Sequence, residues 1–378
     1  MKKIDLIYFD AGSGHKSTAQ ALMEIIKKKN LPLDLRLINI QDPEMLGSLD
    51  LFYKMTGISG VEIYNFMLKK NWTLLDPLYL ALSNLNINYK HRKAVSLLCD
   101  YWFKRQPDLV VSLIPLFNRV LWESLQKVRP HIPLVTILTD LADCPPHYWI
   151  EKQKQYFICP TERAFEQACA MGHEKEFIFR TSGLIINSDF YQEITLNRSL
   201  ERKQMGLEPN LPTGLVMFGG NGSDIMLKIA QILDKLGRKL QLIFICGKNE
   251  TLANSLRARE KSLPTFVEGF TNEIPYYMYI SDFFIGKPGN ICVSEAVHMN
   301  LPVIIKHNLA TLVQERYTSE WITHNQLGIV LDNWQKIDQA VAQIIQPEIF
   351  ERYRHNASLI NNQGLFETSG IILDLINK

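Results

Sequence analysis

The chain has 378 residues, 46% hydrophobic and 21% charged, a mixture that excludes a disordered chain and, at about 100–200 residues per domain, fits two or three domains. Forty-one basic residues against 39 acidic ones leave a net charge of only +2, so no global basic field points to nucleic acid. The longest uncharged run, 209–223, spans 15 residues and holds two prolines and four glycines, too short and too broken for a membrane-spanning helix of about 20 apolar residues.

Short apolar runs alternate with longer amphipathic segments, the signature of a parallel α/β sheet. Strands are predicted over 4–9, 35–40, 109–113, 134–139, 156–159 and 177–179, and helices over 16–29 and 161–171. A polar, weakly patterned stretch follows, and the linker is placed at 191–212. A second series then begins: strands at 215–218, 240–246, 266–268, 283–285 and 302–305, and helices at 224–236, 273–280, 291–298 and 313–324. The domains expected are therefore 1–190 and 213–360, with a C-terminal helix at 361–378 that can cross back to the first. The fold class is α/β, two Rossmann-like doubly wound domains facing a cleft. Ligands in such sheets bind outside the carboxyl ends of the strands. Asp5 stands where a signal peptide would keep an apolar core, and the six cysteines form no C-x-x-C pair, so they read as reduced cytosolic thiols rather than a zinc site or a disulfide framework.

Three loops carry chemistry. The first runs from Asp10 through Gly12, Gly14, His15 and Lys16 to Thr18. Ser17 stands where a dinucleotide fingerprint needs its third glycine, and His15 where a Walker A loop needs one. What remains is a glycine turn presenting His15 at a helix start, where the helix dipole disfavours imidazolium and keeps the ring able to take a proton. The second loop holds Gly219, Gly220, Asn221 and Gly222, and the glycines' missing Cβ atoms let a ligand approach the backbone amides. The third, Lys287-Pro288-Gly289-Asn290-Ile291, opens a helix whose N–H groups suit a phosphate. Glu295, one turn on, can accept hydrogen bonds from the hydroxyls of a ribose.

These motifs resemble the diacylglycerol glycosyltransferase family, the monogalactosyldiacylglycerol synthase and processive diacylglycerol glucosyltransferase branch of the MurG-like superfamily. The resemblance rests on the residues from Ala11 through Lys16 and Thr18 to Leu22, on Thr139-Asp140 with His147 and Trp149, and on Gly183-Leu184. It extends through Gly269 to Ile274, Lys287 to Gly289, Ser294 to Ala296, and Gln314-Glu315. Ser13 replaces a family glycine, Asn290 stands where a second glycine is usual, Ile185 replaces a proline, and Thr318 falls where the galactolipid enzymes have Asn. The resemblance implies a GT-B fold, inversion at the anomeric carbon and a UDP-sugar donor as substrate. The backbone amides and helix dipole at 289–291 can stabilise the departing diphosphate, so no cofactor and no metal is expected. No Asp-x-Asp occurs to hold one. The donor candidates, from the loops and the resemblance together, are Gly219, Gly220, Asn221, Gly247, Phe270, Lys287, Pro288, Gly289, Asn290, Ile291, Glu295, Gln314 and Glu315.

The acceptor side is the stretch 51–93, with seven aromatics and six basic residues against two acidic ones. Aromatic anchors beside basic residues suit an anionic membrane surface. Gly14, Phe66, Lys69, Lys70, Trp72, His147 and Trp149 are the acceptor and membrane candidates. The expectation is a cytoplasmic enzyme, peripheral on the cytosolic membrane face, that moves a hexose from a UDP-sugar to a membrane lipid, foremost diacylglycerol. His15 is the first choice of base. Asp140 is the second, or the group that orients the base. The rivals are transfer of an amino sugar to a polyprenyl-linked acceptor, a non-hydrolysing nucleotide-sugar epimerase, and a non-catalytic UDP-sugar-binding subunit.

Overall fold

In a computed structural model of the protein, all residues are described other than 11–13, 43, 50–58, 70–72, 238, 261 and 378, and the side chains of Leu68 and Lys69. They divide into two units. One comprises Met1–Ser188, Leu312–Gln314 and Asn362–Lys378, the other Asp189–Thr311 and Glu315–Asn361.

The first unit is built on strands β1 (Lys2–Tyr8), β2 (Leu33–Asn39), β3 (Leu109–Ser112), β4 (Leu134–Ile137), β5 (Tyr156–Cys159) and β6 (Ile178–Arg180). They form one parallel sheet in the order β2-β1-β3-β4-β5-β6. The strand order reverses at β1 and β3, where Leu6 faces Val111. The second unit carries β7 (Thr213–Met217), β8 (Gln241–Ile245), β9 (Thr265–Glu268), β10 (Phe283–Gly286), β11 (Val303–Lys306) and β12 (Gly328–Leu331). Their order is β12-β11-β10-β7-β8-β9, again all parallel. Here the reversal lies between β7 and β10, with Val216 opposite Ile285. Every residue of β3, β4, β7, β8 and β10 is buried. Helices cover both faces of such sheets, so the strands read as unbroken apolar runs instead of alternating ones. Thr161 and Asn249 start their helices by accepting from the N–H groups of Ala164 and Leu252, which satisfies otherwise orphaned donors.

Three parts of the chain depart from the sequence reading. The stretch expected as a linker is a built part of the second unit. It holds a helix, Arg198–Gln204, and the buried Arg202 guanidinium donates to the carbonyls of Ile280, Pro209 and Leu211 and to Asp282. Residues 312–314 group with the first unit although their neighbours on both sides belong to the second. The predicted strand at 134–139 stops at Ile137, which leaves Thr139 and Asp140 in the loop beyond it. Toward the C-terminus the helix Gly364–Asn377 packs on the helix Gly14–Lys27 of the first unit. Asn362 Nδ2 donates to the Leu184 carbonyl at 3.0 Å, and the Lys2 ammonium donates to the carbonyl of Ile376.

The largest element not anticipated is a helix of 30 residues, Asp76–Arg105. Its second half turns Ala94, Val95, Leu98, Tyr101 and Trp102 into the core. Its first half carries Leu78, Leu82, Leu85 and Tyr89 at spacings of four, three and four. At 3.6 residues per turn these fall on the face opposite the core. All four are exposed, Leu85 by 65% and Tyr89 by 86%. Leu74, Leu75 and Phe66 just before them are exposed as well. Apolar residues on two opposite faces defeat a single helical period. Among the described residues no helix is long and apolar enough to cross a membrane.

Candidate active site

Each unit gathers its candidate residues at its own switch point, at the carboxyl ends of the strands. In the first unit His15 lies in the first turn of the helix Gly14–Lys27, after β1. Its Nδ1 is 2.8 Å from the Leu113 carbonyl oxygen, beyond β3, and 3.1 Å from Thr139 Oγ1, beyond β4. Three neighbouring strands thus converge on one imidazole. A carbonyl oxygen only accepts, so Nδ1 carries the hydrogen and Nε2 keeps its lone pair. The ring packs between Phe9 and Trp149, at centroid distances of 4.5 and 5.9 Å. Burial pushes its pKa down to about 4, against the opposite pull of the Leu113 bond. The neutral form expected from the helix dipole is therefore obtained mainly by desolvation.

Asp140 accepts from the Trp149 indole N–H at 2.8 Å. Trp149 is completely buried, so it does not meet a lipid or a membrane as expected but supports the His15 ring from behind. Asp140 in turn fixes Trp149. His147 is exposed, with a left-handed backbone at φ 66°. The sequence reading missed Asp143, the buried carboxylate that shapes this turn. Its oxygens accept from the backbone N–H of His147 at 2.8 Å and of Trp149 at 2.6 Å. Gly14 opens the helix beside His15. Phe66 is exposed, while Lys70, Trp72 and the Lys69 side chain lie outside the described residues.

In the second unit the loops after β7, β8, β9 and β10 meet. Gly219 and Gly247 adopt φ of 77° and 59°, a region closed to most side chains. A methyl group at Gly247 would lie 2.2 Å from the Gly220 carbonyl oxygen, so the two turns pack backbone to backbone, joined by the Lys248 N–H to Gly220 carbonyl bond at 2.9 Å. Asn221 projects at the exposed tip of the first turn. Phe270 is 58% exposed, with the Lys248 ammonium 5.5 Å from its ring centre. The helix Asn290–His298 begins after Pro288 and Gly289 with no side chain capping it. Its first N–H groups and its dipole therefore suit an anion, and Ile291 lies in this first turn. Lys287 Nζ pairs with Glu315 Oε1 at 2.6 Å. Gln314, expected beside the donor sugar, groups with the first unit, where its amide donates to the Tyr64 hydroxyl at 2.8 Å.

Glu295 lies one turn into the helix, and burial raises its carboxyl to about 8. The folded protein thus holds a proton that the unfolded chain releases near 4.5. Stability conferred by the neutral carboxyl is complete below that value and declines as pH rises toward 8. Glu295→Gln should therefore gain in melting temperature relative to the parent between about pH 5 and pH 8. An equal difference at both pH values would show the carboxyl to be solvated.

Three comparisons bear on these residues. A model of the Monogalactosyldiacylglycerol (MGDG) synthase family matches residues 15–186. The probable monogalactosyldiacylglycerol synthase 3, chloroplastic, of Oryza sativa subsp. japonica is 28% identical over 375 residues, covering 93% of this chain and 70% of that protein. Among solved structures, MurG of Acinetobacter baumannii superposes with a TM-score of 0.67 at 11% identity, over 99% of this chain and all of that one. A UDP-GlcNAc 2-epimerase from Neisseria meningitidis, bound to UDP-GlcNAc, gives 0.59 at 18% identity, over 100% and 99%. The fold is that of the GT-B glycosyltransferases.

Proposed function

We propose that this glycosyltransferase, a relative of the monogalactosyldiacylglycerol synthases, moves a hexose from a UDP-sugar to diacylglycerol at the cytosolic face of an anionic membrane. The observation that carries the reading is His15, a neutral imidazole with its Nε2 lone pair available, at the switch point of the sheet whose strands β2 to β6 fall within the synthase family match. The uncapped helix turn and glycine loops of the second unit support UDP as the donor carrier.

In this reading Phe270 stacks on the uracil and Glu295 faces the ribose. The diphosphate rests on the amides of 219–221 and 289–291. Gln314 and Glu315 contact the hexose. Nε2 of His15 takes the proton of the acceptor hydroxyl while its oxygen attacks the anomeric carbon. The bond to UDP breaks on the opposite face, and its electron pair leaves with the diphosphate. Helix N–H groups oppose that charge, so the reaction needs no metal. Trp149, held by Asp140, keeps the imidazole in place.

An epimerase shares the fold but works on a water-soluble substrate. The exposed leucines of the Asp76–Arg105 helix favour a lipid instead. Beyond them Arg92 and Lys93 are exposed, which suits an anionic surface. The deciding experiment offers radiolabelled UDP-galactose, UDP-glucose and UDP-N-acetylglucosamine with diacylglycerol vesicles or a polyprenyl phosphate, with and without EDTA. A labelled diacylglycerol product that survives EDTA is the expected result. Transfer to the polyprenyl acceptor alone, or epimerisation without lipid, would refute it.

A further inference from the structure

The donor crevice contains a cation that already has a partner. Lys287 leaves the turn after β10, and its side chain runs back over two glycines. A methyl group at Gly289 would lie 3.2 Å from Lys287 Cε, and one at Gly219 would lie 3.7 Å from the same atom. These glycines belong to the two turns whose amides, in the donor reading above, would receive the diphosphate. The ammonium ends on Glu315 at 2.6 Å. Three residues further along each segment a second bond joins the same pair of turns: Thr318 Oγ1 donates to Asn290 Oδ1 at 2.6 Å, and both side chains are buried. One link is neutral and buried. The other is ionic, with the lysine side chain 40% exposed.

We propose that Lys287 is a diphosphate ligand held in reserve by Glu315. Donor binding transfers the ammonium from Glu315 to the diphosphate oxygens, and the released carboxylate accepts hydrogen bonds from the hexose hydroxyls. The assignment rests on the nucleotide-sugar reading of this crevice. Three features support it. The lysine stem already lies across both glycine turns, so a short rotation of its end reaches an anion seated there. A partly exposed ion pair contributes little to stability, whereas a diphosphate offers the ammonium more than one charge-assisted bond, so the exchange is favourable. The Asn290–Thr318 bond holds the two segments while the ionic link opens.

The exchange gives the site a preference for the complete donor. With UDP alone, Glu315 is left without its cation and without hydroxyls, and a carboxylate only 10% exposed is unfavourable in that state. With a hexose in place the hydroxyls replace the ammonium. After transfer they leave, Glu315 reclaims Lys287, and UDP loses its cation. One pair of side chains would then both select UDP-hexose and help release UDP.

Calorimetric titration of UDP and of uridine, which lacks the diphosphate, into the full-length protein tests the proposal. Lys287→Met should weaken UDP about tenfold or more and leave uridine unchanged. Lys287→Gln, the second variant, should likewise weaken UDP and leave uridine unchanged. Glu315→Gln should do the opposite to UDP, tightening it by up to about fivefold because the lysine is no longer shared, while slowing hexose transfer. Weakening of UDP by Glu315→Gln, or equal weakening of UDP and uridine by both lysine variants, would overturn the exchange. A parent protein that binds neither nucleotide would overturn the donor reading and the exchange together, and is distinguished from those results by the parent titration alone.

Discussion

His15→Ala should slow turnover by about 10²–10⁴, the usual loss when a positioned general base is removed, and leave UDP affinity nearly unchanged. The reason is local. His15 lies on the first sheet, bonded to Leu113 and beside Thr139, while the proposed UDP ligands lie on the second. The same histidine sets the acid limb of the pH profile. Only the neutral ring accepts a proton, and burial holds its pKa at about 4. The rate constant kcat/KM should therefore persist below the ordinary histidine value of 6.5 and fall only as pH approaches that lower value. Asp140→Asn should have a smaller effect, since an amide oxygen can still accept from the Trp149 indole. If Asp140→Asn stops the reaction and His15→Ala does not, the two residues exchange roles, and Asp140 is the base.

The second large effect should come from the leucine face. Replacing Leu74, Leu78, Leu82 and Leu85 together by Asn removes four exposed apolar side chains. Each contributes about 1 kcal/mol when its exposed half enters the headgroup boundary. Together that is about a thousandfold in vesicle affinity. Folding should be almost unaffected, because solvent-facing changes usually stay within about 0.5 kcal/mol. Were these leucines part of a core, each would cost about 2–5 kcal/mol and the first unit would melt early. Co-sedimentation with anionic vesicles, paired with a thermal melt, separates the two. Added salt should weaken the remaining binding, because the contribution of Arg92 and Lys93 is screened within about 8–10 Å. Unchanged vesicle binding by the folded quadruple variant would remove this face from membrane docking.

How far these features could be read from the chain depends on whether their signal is local. Central strands such as β7 and β8 were legible because burial on both faces demands consecutive apolar residues between polar boundaries. The glycine turns were legible because a left-handed backbone restricts residue choice, as at Gly219 and Gly247. Asp143 was not, because a buried aspartate that collects backbone N–H groups across a turn has no local pattern. Nor was the tautomer of His15, which depends on a carbonyl 98 residues away in sequence. The linker at 191–212 was misjudged for a related reason: Arg202 looks like a surface residue until carbonyls from 209, 211 and 280 converge on it. Membrane contact was inferred from aromatic and basic composition, whereas the leucine face emerged only once the Asp76–Arg105 helix and its buried side were defined.

The return of residues 362–377 to the first unit has a consequence for how the protein is made. Gln363 N–H donates to Ser182 Oγ at 2.7 Å, and Glu367 accepts from the Ser182 N–H at 2.7 Å. Gly364 sits so close to Gly183 that a methyl group would meet its carbonyl oxygen at 2.2 Å. During synthesis these partners leave the ribosome roughly 180 residues apart. At about 5–20 residues per second, Ser182 and Gly183 wait on the order of ten seconds or more for their partners. In that interval the face of the Gly14–Lys27 helix that receives the Gly364–Asn377 helix is uncovered. The nascent first unit would then be the aggregation-prone stage of biosynthesis, and the second unit would be able to finish folding before it.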